Sequence, residues 1–195
     1  MANLLFYDKN HVYELNGIKL PSVSEILRFI SREVYSDINQ YKLDNAAERG
    51  KNVHKACEQL ICFGECEVSD DLFGYIQAFV KFLKENECEF SLVEKSLATN
   101  EFAGTLDLYG KVSNELTIID IKTVSSVNKP LVRAQLNGYK ILAEHNGHKV
   151  EALKCLQLMS DGKYRLYPVT IDDTEFMASL TLHKALNKKF ERGII

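Results

Sequence analysis

The order in which helical and strand patterns alternate constrains the fold of this chain more than any other feature. Helical patterns with a 3.6-residue apolar repeat are interrupted first by three consecutive strand patterns and later by two more. This order predicts an α/β fold of three layers, in which helices flank a mixed β-sheet. We expect strands at 90–97, 102–112, 116–123, 150–158 and 164–169, and helices at 45–61, 71–86, 129–145 and from about 172 to 190.

The N-terminal residues predict a smaller unit ahead of this core. His11–Leu20 has the pattern of a β-hairpin with Asn16-Gly17 as its turn. Ser22, followed three residues later by Glu25, forms a capping box that opens a helix through Ile30. The length favours a single domain. We expect it to span 1–195, with the hairpin and helix in 1–44, the catalytic core in 45–169 and a C-terminal helix in 170–195.

The composition is that of a globular protein, with 46% hydrophobic and 26% charged residues. No apolar run approaches the length of a membrane span and the N-terminus lacks a signal peptide's features, so we expect no membrane association. The five cysteines include no Cys-x-x-Cys pair, which favours a reduced, cytoplasmic protein. The net charge of −3 argues against nonspecific coating of nucleic acid but permits a nuclease, because metal-binding carboxylates count as negative until a cation arrives.

A surface that binds DNA must then be a local basic patch. One candidate cluster lies on a single predicted helix and comprises Lys129, Arg133 and Lys140. A second lies near the C-terminus and comprises Lys184, Lys188, Lys189 and Arg192. Both are also typical of a solvated helix face, and we favour that interpretation for the C-terminal cluster.

One apolar strand ends in two opposite charges. Leu116–Ile119 predicts a buried strand that closes with Asp120-Ile121-Lys122. Because side chains alternate across a strand, Asp120 and Lys122 share one face. With Asp107 on the preceding strand, they have the chemistry of metal-dependent phosphodiester hydrolysis, in which carboxylates hold a divalent cation and an amine orients or activates a water.

A predicted helix carries His54 and Glu58 at the margin of its apolar stripe. Their i, i+4 spacing places them on one side of the helix, where the imidazole could bind a metal and the glutamate could bind it too or orient the ring. Spacing alone favours a simpler interpretation, a surface pair.

Polar side chains of two further elements also permit two interpretations. On the helix at 129–145, Gln135, Tyr139 and Arg133 could grip phosphate oxygens, or they could be the exposed face of an amphipathic helix. Glu94, on the strand before Asp107, could lie near the cleft, although a solvent-facing glutamate is favoured.

In this order, these residues resemble the PD-(D/E)XK nuclease superfamily in its RecB-like and phage-exonuclease branch. The five matching elements are Arg49-Gly50-x-x-Val53-His54-x3-Glu58, Glu94, Gly104-x-x-Asp107, Asp120-x-Lys122 and Gln135-x3-Tyr139. The Asp-x-Lys triplet alone is common by chance, whereas five elements in order on the expected secondary structure are specific. The match covers residues 45 to 139, and Leu106 stands where the proline that names the superfamily would be.

The resemblance implies a restriction-endonuclease-like core and a role for each matching residue. Mg²⁺ or Mn²⁺ would be held by His54, Asp107, Asp120 and the carbonyl of Ile121. Lys122 would position the attacking water and act in catalysis with the two aspartates. The substrate backbone would be held by Gln135 and Tyr139. Outside the matching elements, Arg133 of the same helix is a further candidate for substrate binding. Glu58 and Glu94 are candidates to support the metal ligands.

The implied activity is hydrolysis of DNA to 5′-phosphate and 3′-hydroxyl ends, by an exonuclease of phage or mobile-element recombination and repair. A single-strand annealing or recombination protein would be its partner. Three other functions stay open: a structure-specific endonuclease, a DNA-end-binding protein without catalysis, and a hydrolase of small phosphodiesters. The oligomeric state and the polarity of cleavage are left open as well.

Some members of this branch carry an iron–sulfur cluster, held by one cysteine before the core and three after it. In this chain only Cys155 follows the core, and the others precede it: Cys57, Cys62, Cys66 and Cys88. This layout does not fit, so we expect no cluster.

Overall fold

The computed structural model describes residues 3–191, with side chains as far as residue 187, and it has the three predicted layers. Its central sheet contains five strands in the order β4-β5-β6-β7-β8. Their bounds are Cys88–Ala98, Ala103–Val112, Glu115–Lys122, Ala152–Leu158 and Tyr164–Val169. The first three strands form an antiparallel meander, β6 and β7 are parallel, and β7 and β8 are antiparallel, so the sheet is mixed as predicted.

Helices cover both faces of this sheet. One face packs against α3 (Gln40–Phe63) and α4 (Asp70–Glu85), through an apolar cluster that includes Phe79 and Phe82. The other packs against α5 (Lys129–His145) and α6 (Thr174–Glu191), through a cluster that includes Phe176. These three phenylalanines are fully buried, and each contributes roughly 1.5–3 kcal/mol of hydrophobic stabilisation.

Helix α5 is the crossover that joins the parallel strands β6 and β7, and its bounds match the prediction. Asn128 caps its start by accepting a hydrogen bond from the Leu131 amide at 3.0 Å, and proline occupies its first turn. Gly147, with φ of 85°, follows its end. Gly138 lets α6 approach closely, because a Cβ there would lie 2.7 Å from the ring of Phe176.

The N-terminal unit is a three-stranded antiparallel sheet and not a simple hairpin. Strands β2 (Val12–Leu15) and β3 (Ile18–Leu20) form the predicted hairpin, and both residues of the Asn16-Gly17 turn have positive φ. A strand that was not predicted, β1 (Leu4–Tyr7), pairs with β2. A short 3₁₀ turn, Asp8–Asn10, connects them.

Two predicted helices differ in extent. The N-cap half of the capping box is present, since Ser22 Oγ accepts a hydrogen bond from the Glu25 amide at 3.0 Å, whereas the Glu25 carboxylate lies 3.6 Å from Arg28. The helix that follows is nonetheless interrupted at Leu27, into α1 (Val23–Ile26) and α2 (Arg28–Val34). Helix α3 begins earlier than predicted because Asn39 caps it. Among the helices of residues 3–191, none is long and apolar enough to cross a membrane.

Candidate active site

Three carboxylates lie side by side across the antiparallel meander, and we call them the carboxylate cluster: Glu94, Asp107 and Asp120. The β4–β5 register places Glu94 opposite Asp107. The β5–β6 register, continued by one residue, places Asp107 beside Asp120. At that point Asp107 Oδ2 accepts a hydrogen bond from the Ile121 amide at 2.7 Å. Adjacent carboxylates repel, so this arrangement requires a positive charge or a proton among them.

Glu94 has an unusual backbone conformation. Its φ is 43°, within a strand, and such a left-handed residue other than glycine costs about 1–3 kcal/mol. Its carboxylate lies 3.1 Å from His54 Nδ1, and its side chain is only 26% exposed. The favoured solvent-facing interpretation therefore does not match its position. The predicted strands at 90–97 and 102–112 held the available signal, because pairing them as a hairpin places residue 94 opposite residue 107.

His54 of α3 lies against the carboxylate cluster. Its Nδ1 is 3.1 Å from Glu94 and 3.5 Å from Asp107, while Nε2 is 3.0 Å from the carbonyl oxygen of Ile121. With acceptors at both nitrogens, the ring is best satisfied when doubly protonated. Burial alone would lower its pKa, but Asp107 and Glu94 outweigh that effect and raise the pKa to about 9. An imidazolium therefore supplies positive charge to the cluster at neutral pH.

Lys122 neutralises the opposite side of the cluster. Its Nζ lies 2.8 Å from Asp120 Oδ2 and 3.0 Å from Gln135 Oε1. Burial would lower the pKa of Lys122, but the Asp120 and Asp107 carboxylates outweigh it and raise the pKa. Burial in turn raises the pKa of both aspartates, against the attraction of His54 and Lys122.

A hydrogen-bonded chain continues from Lys122 to α5. Because lysine only donates, the Gln135 amide must present its oxygen to Lys122, and its nitrogen then donates to the Tyr139 hydroxyl at 3.0 Å. The Tyr139 hydroxyl accepts this bond and keeps its own hydrogen for another partner. Gly104 lets Tyr139 come close, since a Cβ on the glycine would lie 3.0 Å from that ring.

These side chains line one inner cavity of about 220 Å³. A wider outer groove of about 630 Å³ shares His54 and Glu94 with it and extends along α3. Glu58 lines the outer groove and not the inner cavity.

The basic cluster predicted on α5 is largely paired within the protein. Arg133 does not line the inner cavity, and its guanidinium pairs with Glu175 of α6. Lys140 Nζ lies 3.0 Å from Glu144, and Lys129 Nζ lies over the ring of Tyr167. In the C-terminal cluster, the side chains of Lys188 and Lys189 and the whole of Arg192 lie outside the described residues.

The donors present fit a hard divalent cation. One ligand atom from each of His54, Glu94 and Asp107 lies within 4.8 Å of the others. Asp120 Oδ2 is buried and accepts no hydrogen bond from the described residues, although Lys122 Nζ is close enough for an ion pair. Carboxylate oxygens with one imidazole suit Mg²⁺ or Mn²⁺. This donor set adds Glu94 to the ligands implied by the motif.

No protein family model and no curated protein sequence matches this chain. Among solved structures, it is similar to an alkaline exonuclease from Laribacter hongkongensis, with a TM-score of 0.40, 13% identity and coverage of 74% of this chain and 86% of that one. It is also similar to a phage-related exonuclease from Haemophilus somnus 129PT, with a TM-score of 0.42, 10% identity and coverage of 83% and 88%.

Proposed function

We propose that this protein is a nuclease that hydrolyses phosphodiester bonds of DNA with a divalent metal ion, and that it acts as an exonuclease. The observation that carries the proposal is the inner cavity itself. It brings the carboxylate cluster, an imidazole and a charged lysine together in a space of about 220 Å³. A phosphodiester is an anion, so the carboxylates would repel it unless a cation lay between them.

The residues divide into those that hold the metal and those that act on the substrate. The metal would be held by Asp107, Asp120, His54, the Ile121 carbonyl and Glu94. When bound, Mg²⁺ or Mn²⁺ would lower the pKa of a water and neutralise charge on the phosphate. Lys122 remains protonated because its pKa is raised, so it would orient that water and stabilise developing charge and not act as the base.

The substrate backbone would be held from α5. The Tyr139 hydroxyl is 3.0 Å from the Gln135 amide nitrogen, which leaves the phenol hydrogen for a phosphate oxygen in the cavity. Arg133 has no part in this proposal, because it already pairs with Glu175.

The choice of an exonuclease rests on the motif resemblance to the RecB-like and phage-exonuclease branch. On the same ground, we propose that the protein works in the cytoplasm on DNA ends during phage or mobile-element recombination, beside an annealing or recombination protein. Residues 45–169 would carry the chemistry, with 1–44 and 170–195 as flanking parts of the same domain.

Digestion of end-labelled single- and double-stranded DNA with Mg²⁺, Mn²⁺ or EDTA tests this function. Lys122→Met and Asp107→Asn should each reduce cleavage by roughly 10²-fold or more, the usual loss of one electrostatic contact in such sites. Lys111→Met, at an exposed position of the same sheet, is the matched control for the lysine variant.

Each alternative predicts its own result. Rapid loss of a closed circle would identify an endonuclease, and binding of DNA ends without metal-dependent cleavage would identify a binding protein. Activity on a nucleotide ester but not on polymer would identify a small-molecule hydrolase. Full activity of Lys122→Met would show that the site is assigned incorrectly.

Mn²⁺ binding, followed by electron paramagnetic resonance without DNA, tests the ligands separately from catalysis. Glu94→Gln should weaken binding at least about tenfold if its carboxylate is a ligand, by analogy with the loss of metal-site partners. Glu89→Gln, at an exposed position of the same strand, should bind as the wild type does.

A further inference from the structure

Three aromatic rings form a cluster on the N-terminal sheet, which we call the aromatic cluster: Phe6, His11 and Tyr13. Phe6 and Tyr13 are cross-strand partners, and their rings stack with centroids 4.6 Å apart and an interplanar angle of 26°. The ring of His11 meets Phe6 edge-on at 5.3 Å and Tyr13 at 5.4 Å. Tyr13 is only 1% exposed, whereas Phe6 is 36% exposed. The ring of Phe6 therefore faces solvent and packs on the buried ring of Tyr13.

Hydrogen bonds attach this cluster to the inner cavity. The Tyr13 hydroxyl lies 2.8 Å from Thr105 Oγ1, which in turn lies 2.8 Å from Ser96 Oγ. Thr105 precedes Asp107 by two residues on β5 and lines both the inner cavity and the outer groove. The position of the aromatic rings is therefore coupled to the strand that carries the central carboxylate.

The outer groove places this cluster beside a surface of α3 that carries two lysines. Phe6 and His11 line the groove together with Lys51, Lys55 and Glu58 of α3. Lys51 pairs with Asp8 at 3.0 Å, but both side chains are 69% exposed. Such an exposed pair is weak in water, so Lys51 can exchange this partner for another anion at little cost. The groove combines an aromatic face, two ammonium groups and, where it meets the inner cavity, Glu94 of the carboxylate cluster.

This combination fits a nucleotide whose base is unpaired. We propose that Phe6, supported by Tyr13 and His11, is a stacking platform for the base next to the phosphate that is cleaved, with Lys51 and Lys55 near the backbone. The proposal rests on the proposed nuclease function and names its substrate as a strand whose end is single-stranded or frayed. Because every base has a π face, the platform binds bases without reading sequence. A base inside a duplex must first leave its partner to reach the ring.

Binding without cleavage tests the platform first. In EDTA, a single-stranded oligonucleotide with 2-aminopurine near its end should show quenched fluorescence on wild-type protein. Phe6→Leu should lose the quenching and bind roughly five- to tenfold more weakly, the lower end of the usual stacking effect. Phe6→Tyr should restore the quenching and the affinity. His11→Asn should weaken both, and asparagine tolerates the left-handed φ of 49° at that position.

Tyr7→Leu is the matched control, because Tyr7 neighbours Phe6 on β1 and points to the opposite face of the sheet. Its binding and quenching should equal those of the wild type. Equal melting curves for Phe6→Leu and Tyr7→Leu would exclude unfolding as the cause of a difference. Unchanged quenching by a folded Phe6→Leu would overturn the platform.

Cleavage with Mg²⁺ separates failure of the platform from failure of the nuclease function. An abasic site next to the cleaved phosphate should raise KM for the wild type about five- to tenfold, while Phe6→Leu should cleave the intact and abasic strands alike. If the wild type cleaves DNA but ignores the abasic site, the platform is wrong and the nuclease function stands. If no DNA is cleaved with either metal but Phe6-dependent quenching persists, the nuclease function is wrong and the chain is a base-binding protein.

Discussion

The metal-free protein should lose stability between pH 6.5 and 9 because of His54. Burial lowers the pKa of this ring, but Asp107 and Glu94 raise it to about 9, from 6.5 in the unfolded chain. A group whose pKa rises on folding stabilises the protein fully below its unfolded pKa, and this contribution is lost as the pH rises through the folded pKa. At about 1.36 kcal/mol per pKa unit, the difference between 9 and 6.5 corresponds to roughly 3 kcal/mol.

Urea unfolding in EDTA, at intervals from pH 6 to 10, measures this contribution. The free energy of unfolding of the wild type, minus that of His54→Gln, should fall by roughly 3 kcal/mol over the range, because the variant has no proton to lose. His145→Gln, at an exposed position near the end of α5, is the control and should follow the wild-type profile. Nuclear magnetic resonance of the ring nitrogens gives the pKa of His54 directly.

Two results would refute this reasoning. A constant difference between wild type and His54→Gln would show that the carboxylates do not hold the proton, and so would a ring that titrates near 6.5.

The same proton must leave before the ring can bind a metal. The affinity for Mn²⁺ should therefore rise about tenfold per pH unit up to about pH 9, with one proton released per ion. A flat affinity between pH 7 and 8.5 would also contradict the assignment.

Three further variants test other parts of the structure. Gly138→Ala should lower the free energy of unfolding by about 1–3 kcal/mol, because its Cβ would meet Phe176 at 2.7 Å; an unchanged melting temperature would mean that α6 moves freely. Tyr13→Phe should cost about 1 kcal/mol in urea unfolding through loss of the hydrogen bond to Thr105, and a neutral result would show that this bond contributes nothing. Arg133→Gln should leave DNA cleavage and DNA binding unchanged, because its guanidinium pairs within the protein; a large loss of either would restore its predicted role in substrate binding.

Elements with signals at both ends could be predicted closely from the sequence. Helix α5 is the clearest case, because a first-turn proline and the Asn146-Gly147 stop act locally. Strand β1 was missed because Leu4–Tyr7 is a short run without polar alternation, and it becomes a strand only through pairing with β2. The first turn of α3 was missed because its residues are mostly exposed and carry no apolar stripe.

In the candidate site too, some features follow from local sequence patterns and others depend on contacts between distant residues. The structure brings His54, Asp107, Asp120, Lys122 and Gln135 to one cavity, although their roles stay predictions. The contact of Glu94 with the imidazole depends on a positive φ in mid-strand, which no periodicity encodes. Whether Arg133 of α5 is free to contact a substrate depends on which residues of α6 pack beside it, and here Glu175 pairs with it. That contact joins residues far apart in sequence, and helical periodicity does not predict it.

The antiparallel meander also bears on how the chain folds. Strands β4, β5 and β6 are neighbours in sequence as well as in the sheet, so their contacts close only short loops. Strand β7 lies parallel to β6 and is joined to it through the α5 crossover, so its pairing closes a longer loop. We therefore expect the meander to form early, before α3 supplies His54 and α5 supplies Gln135. The three carboxylates would then meet before their neutralising partners arrive, and high salt or a divalent cation should speed the first folding step by screening their repulsion.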